Sequence, residues 1–163
     1  MTIFKTTFKK RAPKRTTFIA FLVAVLTVFT IGSSSHTQFV LNELVVLGIP
    51  INLGTRLNAT ITDLMGLLPG YGTIIALGLL IAFIVTRAIG KLCGRLTLAW
   101  YWWSFAGGLA LLTALMLMKP LLDVTPIAGA RSTAGLFFQC LAGLIGGAVF
   151  GLLQTESKNR ESK

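Results

Sequence analysis

The chain has 163 residues, of which 54% are hydrophobic and only 12% are charged. Its mean hydropathy of +0.79 lies outside the range of an ordinary soluble domain. The formal charge of +10 does not indicate a nucleic-acid-binding module, because the basic residues flank apolar runs and form no face on a soluble fold. The two cysteines, Cys93 and Cys140, have no metal-ligand spacing. We therefore expect an all-α integral membrane protein with one compact domain and no cofactor.

The first 16 residues form a basic arm that contains six Lys or Arg residues and no acid. Anionic lipid headgroups attract such a segment by about 1 kcal/mol per basic residue near the surface. We expect residues 1–16 to lie in the cytoplasm beside these headgroups. The alternative is a disordered tail that only sets the topology.

Residues 17–35 are predicted to form the first transmembrane span, in which an apolar run ends at Gly32-Ser33-Ser34-Ser35. A basic segment, an apolar core and the small residues Ser33 and Ser35 also resemble a signal peptide with its cleavage site. Retention of the span is favoured, because the later segments agree with a cytoplasmic N-terminus.

Residues 36–70 are less apolar and are predicted to form an outer loop that contains an amphipathic helix. The loop ends in turn signals at Pro69-Gly70-Tyr71-Gly72. The polar residues Arg56, Thr60 and Asp63 share one face of the predicted helix. The pattern predicts that the apolar face caps the bundle or lies on the outer surface; a lid over a substrate is the alternative. That apolar face consists of Leu57, Ile61, Leu64, Met65 and Leu68, at helical spacing within residues 55–68.

Residues 71–90 and 96–118 are predicted to form the second and third spans. The loop 91–95 joins these two spans. Arg87, Lys91 and Arg95 lie in or next to this loop and mark it as cytoplasmic. The third span opens with Trp100-Tyr101-Trp102-Trp103, whose amphipathic rings prefer the headgroup level. A stacking platform for a nucleobase or sugar is the alternative.

Residues 133–153 are predicted to form the fourth span. Lys119-Pro120 ends the third span, residues 119–132 form a second outer loop, and residues 154–163 form a polar cytoplasmic tail. Twelve of the fifteen basic residues then lie on one side, and the exceptions are Arg56, Lys119 and Arg131. The positive-inside rule therefore predicts a multi-pass protein with both termini in the cytoplasm. We expect its location to be the bacterial inner membrane.

Small residues recur at four-residue steps on three of the predicted spans, and such rows let membrane helices approach closely. The rows are Gly78, Ala82 and Thr86 on the second span, Ala106, Ala110 and Ala114 on the third, and Gly135, Gln139, Gly143, Gly147 and Gly151 on the fourth. Each step of four drifts by about 40° around a helix. We therefore expect Gly143 and Gly147 to serve one helix crossing, and Gly135 and Gly151 to contact different neighbours.

Few polar residues are candidates for chemistry. Within the spans Gln139 is the notable polar side chain, and we expect it to bond another helix in preference to a ligand. No nucleophile elbow, phosphate-binding loop or HExxH motif is present, so the sequence assigns no catalytic or metal-binding residue. An outer polar cluster either fixes the loops through ion pairs or lines a small polar site. Its predicted members are His36, Glu43, Arg56, Asp63, Asp123 and Arg131.

These features favour a non-enzymatic protein that acts through contacts between transmembrane helices, as an accessory or assembly subunit of a larger complex or as a homo-oligomer. The spans carry no ionisable residue in their middle, which disfavours an ion-coupled transporter. Permeation of a small neutral or lipid-like solute is the first alternative, and it requires a cavity ending near Gln139. A membrane enzyme is the second, and it requires His36, Asp63, Asp123 and Arg131 to converge.

Overall fold

The computed structural model describes residues 14–94, 98–122 and 133–161, and within these ranges it contains helices, short connections and no β-strand. Four helical segments are long and apolar enough to cross a membrane: α1, the continuous segment from α2 to α3, α4 and α5. The predicted all-α class and its four span-like helices are therefore confirmed. The elements are α1 (Lys14–Val46), α2 (Leu53–Leu67), a π-helical turn (Leu68–Gly72), α3 (Thr73–Leu92), α4 (Trp100–Leu122) and α5 (Thr133–Glu161).

Two helices extend well beyond the spans predicted from hydropathy, and α4 continues through Lys119-Pro120 to Leu122, so the predicted end of the third span at Lys119-Pro120 is wrong. α1 continues past Ser35 to Val46, and α5 continues past Leu153 to Glu161. The start of the predicted outer loop and the described part of the predicted tail are therefore helical. Hydropathy marks where a helix is apolar, whereas backbone hydrogen bonding continues into polar segments. The predicted features at residues 1–13, 95–97 and 123–132 lie outside the described residues.

Pro69 to Gly72 do not form the turn that the sequence predicts. They belong to a π-helical turn that joins α2 to α3 without a break in the helix, and Pro69 stands at its beginning. The wider π turn accommodates a residue that lacks a backbone N–H. The Pro69 carbonyl accepts a hydrogen bond from Thr73 Oγ1 at 2.6 Å. A helix end predicted from Pro-Gly is thus a local adjustment within a longer helix.

α4 and α5 form the most extensive helix contact of the described fold. Glycines leave both surfaces without side chains at the crossing. A Cβ added at Gly143 would overlap the Gly107 carbonyl, and one added at Gly147 would overlap the Trp103 carbonyl. The two backbones therefore touch directly, as small residues permit in membrane helices.

The same contact continues along α5 to Gly151, where an added Cβ would lie 2.7 Å from Trp100 Cα. Gly151 therefore contacts the same helix as Gly143 and Gly147, and the expectation of a different neighbour is wrong. A row of four-residue steps is inclined to its helix axis by about 26°. A neighbouring helix with a matching inclination follows such a row, although the row winds around its own helix.

Another face of α5 packs against α1. A Cβ added at Gly146 would overlap Val28 Cγ2 and would lie 3.0 Å from the Ala24 carbonyl oxygen. α5 consequently lies between α4 and α1, while α3 packs on α4. The helices follow one another around the bundle in the order α1, α5, α4, α3. α1 and α3 touch at few positions, which leaves a cleft between them.

An aromatic cluster near the first turn of α4 ties α3 to the other helices. The Phe83 ring on α3 stacks on Phe150 of α5, with centroids 4.3 Å apart. The same ring meets Trp103 of α4 edge-on at 5.7 Å. All three side chains are buried. Such pairs contribute about 0.5–1.5 kcal/mol each beyond the burial of their area, so the cluster holds α3 where the glycine contact does not reach.

α2 turns its polar face towards α1, which is the reverse of the predicted cap. None of its residues is fully buried, and the side chains of Leu57 and Met65 are 67% and 74% exposed. Arg56, Thr60 and Asp63 instead bond to side chains of α1. Each of these polar side chains thus has a hydrogen-bond partner on α1, and the bonds turn the polar face inward. Of the predicted apolar face only Leu64 packs against the core, so the predicted cap is wrong for most of that face. Its predicted alternative, a position on the outer surface, stays a prediction.

We predict that Gly147→Ala lowers the free energy of unfolding by about 1–3 kcal/mol, because its methyl group would overlap the Trp103 carbonyl. Gly66→Ala in α2 is the matched control, since nothing lies within 4 Å of its added Cβ. There the higher helix propensity of alanine contributes up to about 1 kcal/mol of stability. Thermal unfolding in a mild detergent measures both variants, and equal midpoints would contradict the close contact between α4 and α5.

Candidate functional site

Gln139 lies at the centre of a hydrogen-bonded cluster that joins three helical segments, and its side chain is 1% exposed. Gln139 Nε2 donates to the Gly32 carbonyl of α1 at 3.0 Å. The hydroxyl of Tyr71, in the π-helical turn, donates to Gln139 Oε1. A carbonyl only accepts hydrogen bonds, so the amide NH₂ group faces Gly32 and its oxygen faces Tyr71. We call these three residues the amide cluster.

Gly32 makes room for the amide cluster. A Cβ at this position would lie 2.7 Å from Gln139 Oε1 and 2.9 Å from the Tyr71 hydroxyl oxygen. Phe29 packs against the Tyr71 ring with centroids 6.3 Å apart. Hydrogen bonds between membrane helices are typically worth about 0.6–2 kcal/mol. The cluster therefore acts as a structural link between α1, α5 and the π-helical turn.

A second polar group joins α1 to α2. Thr37 Oγ1 of α1 lies 2.8 Å from Asp63 Oδ2 of α2. Gln38 Nε2 donates to Thr60 Oγ1 at 3.2 Å, and Gln38 Oε1 accepts from Arg56 Nη1 at 2.9 Å. We call these five residues the polar seam. Its α2 members all come from the polar face of the amphipathic pattern, and their bonds explain why that face turns inward.

The polar seam contains part of the predicted outer polar cluster. Arg56 and Asp63 belong to the seam, and His36 interacts electrostatically with Asp63. Glu43, further along α1, is exposed. The structure thus brings three of the predicted residues together in the C-terminal part of α1 and on the facing side of α2. The two remaining members, Asp123 and Arg131, lie outside the described residues.

The predicted small-residue rows differ in how closely they pack. The row on α5 carries the tight contacts, whereas a Cβ added at Gly78 of α3 would lie 4.0 Å from the Ala110 carbonyl oxygen, an ordinary van der Waals distance. The Thr86 hydroxyl donates to the Ala82 carbonyl within its own helix. Half-buried members of the rows are Gly78, Ala82, Thr86, Ala106 and Ala114, and buried members are Ala110, Gly135, Gln139, Gly143, Gly147 and Gly151.

Sequence reasoning misses several residues on the opposite side of these contacts. On α4 the close approach to α5 uses Gly107 and Gly108, whereas the predicted row runs through Ala106. A Gly-Gly pair within an apolar span is a signal that points to such packing. Gly32 and Tyr71 stand near a predicted span end and in a predicted turn, and only the fold brings them to Gln139.

A shallow groove of about 460 Å³ borders the polar seam. Gln139 itself does not line this groove, although its neighbour Phe138 does. Two of its lining residues, Gln38 and Arg56, are already bonded to each other. The residues that line the groove are Ser34, Ser35, Gln38, Phe39, Asn42, Arg56 and Phe138.

The polar groups of the described residues act mainly on one another. Within residues 14–94, 98–122 and 133–161, no three His, Cys, Asp or Glu side chains lie together as a metal site requires. The Asp63 carboxylate is engaged with the Thr37 hydroxyl. Ser33 Oγ is buried and has no hydrogen-bond partner within the same part of the chain. The hydrogen bonds described above therefore link helices to one another.

Comparison with protein families, with curated proteins and with solved structures gives no match. The function is therefore inferred from the residues and geometry described above.

We predict that Tyr71→Phe and Gln139→Leu each destabilise the protein and that their effects are not additive. Each change removes one partner of a buried hydrogen bond, typically worth about 0.6–2 kcal/mol in a membrane protein. With Gln139→Leu in place, Tyr71→Phe has no bond left to break, so a coupling energy of about 1 kcal/mol is expected.

A double-mutant cycle, measured by unfolding in detergent, tests this coupling. Tyr101→Phe is the matched control, because the Tyr101 side chain is 45% exposed and lies outside the amide cluster. We expect no coupling between Tyr101→Phe and Gln139→Leu. Additive losses for Tyr71→Phe and Gln139→Leu would contradict the cluster.

Proposed function

We propose that this is a non-enzymatic membrane protein that assembles with a second copy of itself through an apolar stripe on α2. In this proposal the protein lies in a bacterial inner membrane, with both termini in the cytoplasm and the α1–α2 connection outside. The exposure of the stripe carries the proposal. The stripe consists of Leu53, Leu57, Ile61 and Met65, which are 79%, 67%, 54% and 74% exposed.

The end of α1 carries further exposed apolar side chains. Val46 and Leu47 are 80% and 77% exposed, and Gly48, at a φ of 84°, turns the chain from α1 towards α2. Contiguous apolar surface of this kind marks a contact with lipid or with another protein. The position of this surface along the bundle axis decides between lipid and another protein.

The helix lengths favour a contact between the stripe and another protein. The continuous segment from α2 to α3 has 40 residues, about 60 Å of helix, whereas the hydrocarbon core is about 30 Å thick. Phe83 contacts Trp103, so Arg87, one turn further, lies near the aromatic headgroup level at Trp100. About 20 residues cross the core, and counted back from Arg87 they end near Leu67. Most of α2 therefore lies beyond the lipid tails.

A second copy is the partner that fits this surface. The charged residues of α2, Arg56 and Asp63, bond to α1 and lie away from the stripe. Two copies related by a twofold axis would present the same uncharged stripe to each other without like-charge repulsion. The glycine rows do not serve this contact, because those of α4 and α5 are used within one chain.

Disulfide crosslinking in native membranes tests the proposal. In a background with Cys93→Ser and Cys140→Ser, we expect Leu57→Cys and Ile61→Cys to yield covalent dimers. Thr62→Cys is the matched control, since Thr62 is exposed but lies about 100° around the helix from Ile61, and we expect little dimer there.

Three outcomes would contradict the proposal of a second copy. They are monomer alone at both stripe positions, equal dimer at Thr62→Cys, and crosslinks from the stripe to a different protein without any dimer. The last outcome would favour an accessory subunit of a larger complex.

A further inference from the structure

The cleft between α1 and α3 lies near the first turn of α4, at the opposite end of the bundle from the apolar stripe. Its volume is about 260 Å³, and its walls include Phe18 of α1 and Leu80, Ile84 and Arg87 of α3. We propose that this cleft binds one acyl chain of an anionic phospholipid, whose phosphate contacts Arg87. The proposal is independent of the contact between copies through α2.

The walls of the cleft suit an acyl chain. Phe18 and Ile84 flank it and are 62% and 59% exposed on the outer surface of the bundle. Its floor is formed by the buried rings of Phe83 and Phe150, which stack on each other. Apart from Thr17 and Arg87, the cleft is therefore lined by apolar and aromatic side chains and opens on the outer surface of the bundle.

The size of the cleft excludes a helix as its occupant. Phe21 of α1 and Phe83 of α3 both line the cleft and pack edge-on against each other, with ring centroids 6.4 Å apart, so they bridge α1 and α3 there. A helix with its side chains needs about 10–12 Å and cannot enter between α1 and α3 where these rings touch. A single extended hydrocarbon chain is thin enough to lie in the space over this ring pair.

The charge at the mouth of the cleft selects an anionic headgroup. Arg87 is exposed and lines the cleft, and within the described residues its guanidinium has no ion-pair partner. Arg15 and Lys91 are the other exposed basic residues described at this end, where Glu156 of α5 is an acid that does not line the cleft. A guanidinium binds phosphate oxygens through charge-assisted hydrogen bonds. The basic group stands at headgroup level directly beside the apolar walls, as a bound phospholipid requires.

Native mass spectrometry of the purified full-length protein tests the site. The protein is equilibrated with equal amounts of phosphatidylglycerol and phosphatidylcholine, and we expect one phosphatidylglycerol to be retained preferentially. Arg87→Gln is expected to lower the retained fraction about fivefold, the effect of one basic residue near an anionic surface. Lys91→Gln is the matched control, because Lys91 is exposed one turn further along α3 but does not line the cleft.

A second pair of variants tests the acyl-chain contact separately from the charge. Ile84→Trp places a larger side chain in the mouth of the cleft and is expected to reduce retention of phosphatidylglycerol at least as much as Arg87→Gln. Ile81→Trp is its control, since Ile81 is 62% exposed and is not a lining residue. Both sites are exposed, so both variants should keep the unfolding midpoint of the parent protein.

Several results would overturn the proposal. Equal losses for Arg87→Gln and Lys91→Gln would indicate only a diffuse charge effect. Equal retention of phosphatidylcholine, or undiminished retention after Ile84→Trp, would show that the cleft does not hold the lipid.

Discussion

The described fold depends on buried polar groups finding partners within the chain itself, as helices of membrane-span composition must provide where no water reaches. Gln139 illustrates this most clearly. Its side chain is almost fully buried, yet the amide oxygen and the amide nitrogen each form a hydrogen bond with a neighbouring segment. Gly32 makes these bonds geometrically possible by leaving room for the amide and the Tyr71 hydroxyl. The glycines of α5 allow α4 and α1 to pack closely against α5 on two of its faces. Compact packing and polar satisfaction are therefore coupled in α5.

The hydrogen bonds of the polar seam account for the placement of α2. Asp63 and Arg56 obtain partners on α1, and the apolar stripe consequently turns away from the bundle. An apolar surface costs nothing against lipid tails, but beyond them it favours contact with another protein. The proposed assembly through α2 and the proposed lipid in the α1–α3 cleft thus use different surfaces at opposite ends of the molecule. Each surface is one that the internal packing of a single chain leaves open.

Hydropathy predicts the four span-like helices because their apolar runs are long and uninterrupted, but it does not predict their partners. Ala106 and Gly107 are both small, and sequence alone does not tell which of them faces α5. The stripe of Leu57, Ile61 and Met65 predicts a helix, yet its direction depends on whether lipid, water or protein surrounds it. Tyr71 reaches Gln139 only because Pro69 begins a π-helical turn where the sequence indicates a chain reversal. Contacts between residues far apart in the chain decide all three cases.

The inward direction of the polar face of α2 is the central claim, and spin-label accessibility measures it most directly. Single nitroxide labels at each position from 53 to 68 are read on the monomeric protein, in lipid bilayers at a dilution that separates the copies, for collision with oxygen and with a water-soluble nickel complex. We expect accessibility to oscillate with a period of about 3.6 residues, with maxima at Leu57, Ile61 and Met65 and minima at Thr60 and Asp63. Maxima at Thr60 and Asp63 would show that the apolar stripe faces the bundle and would contradict this account.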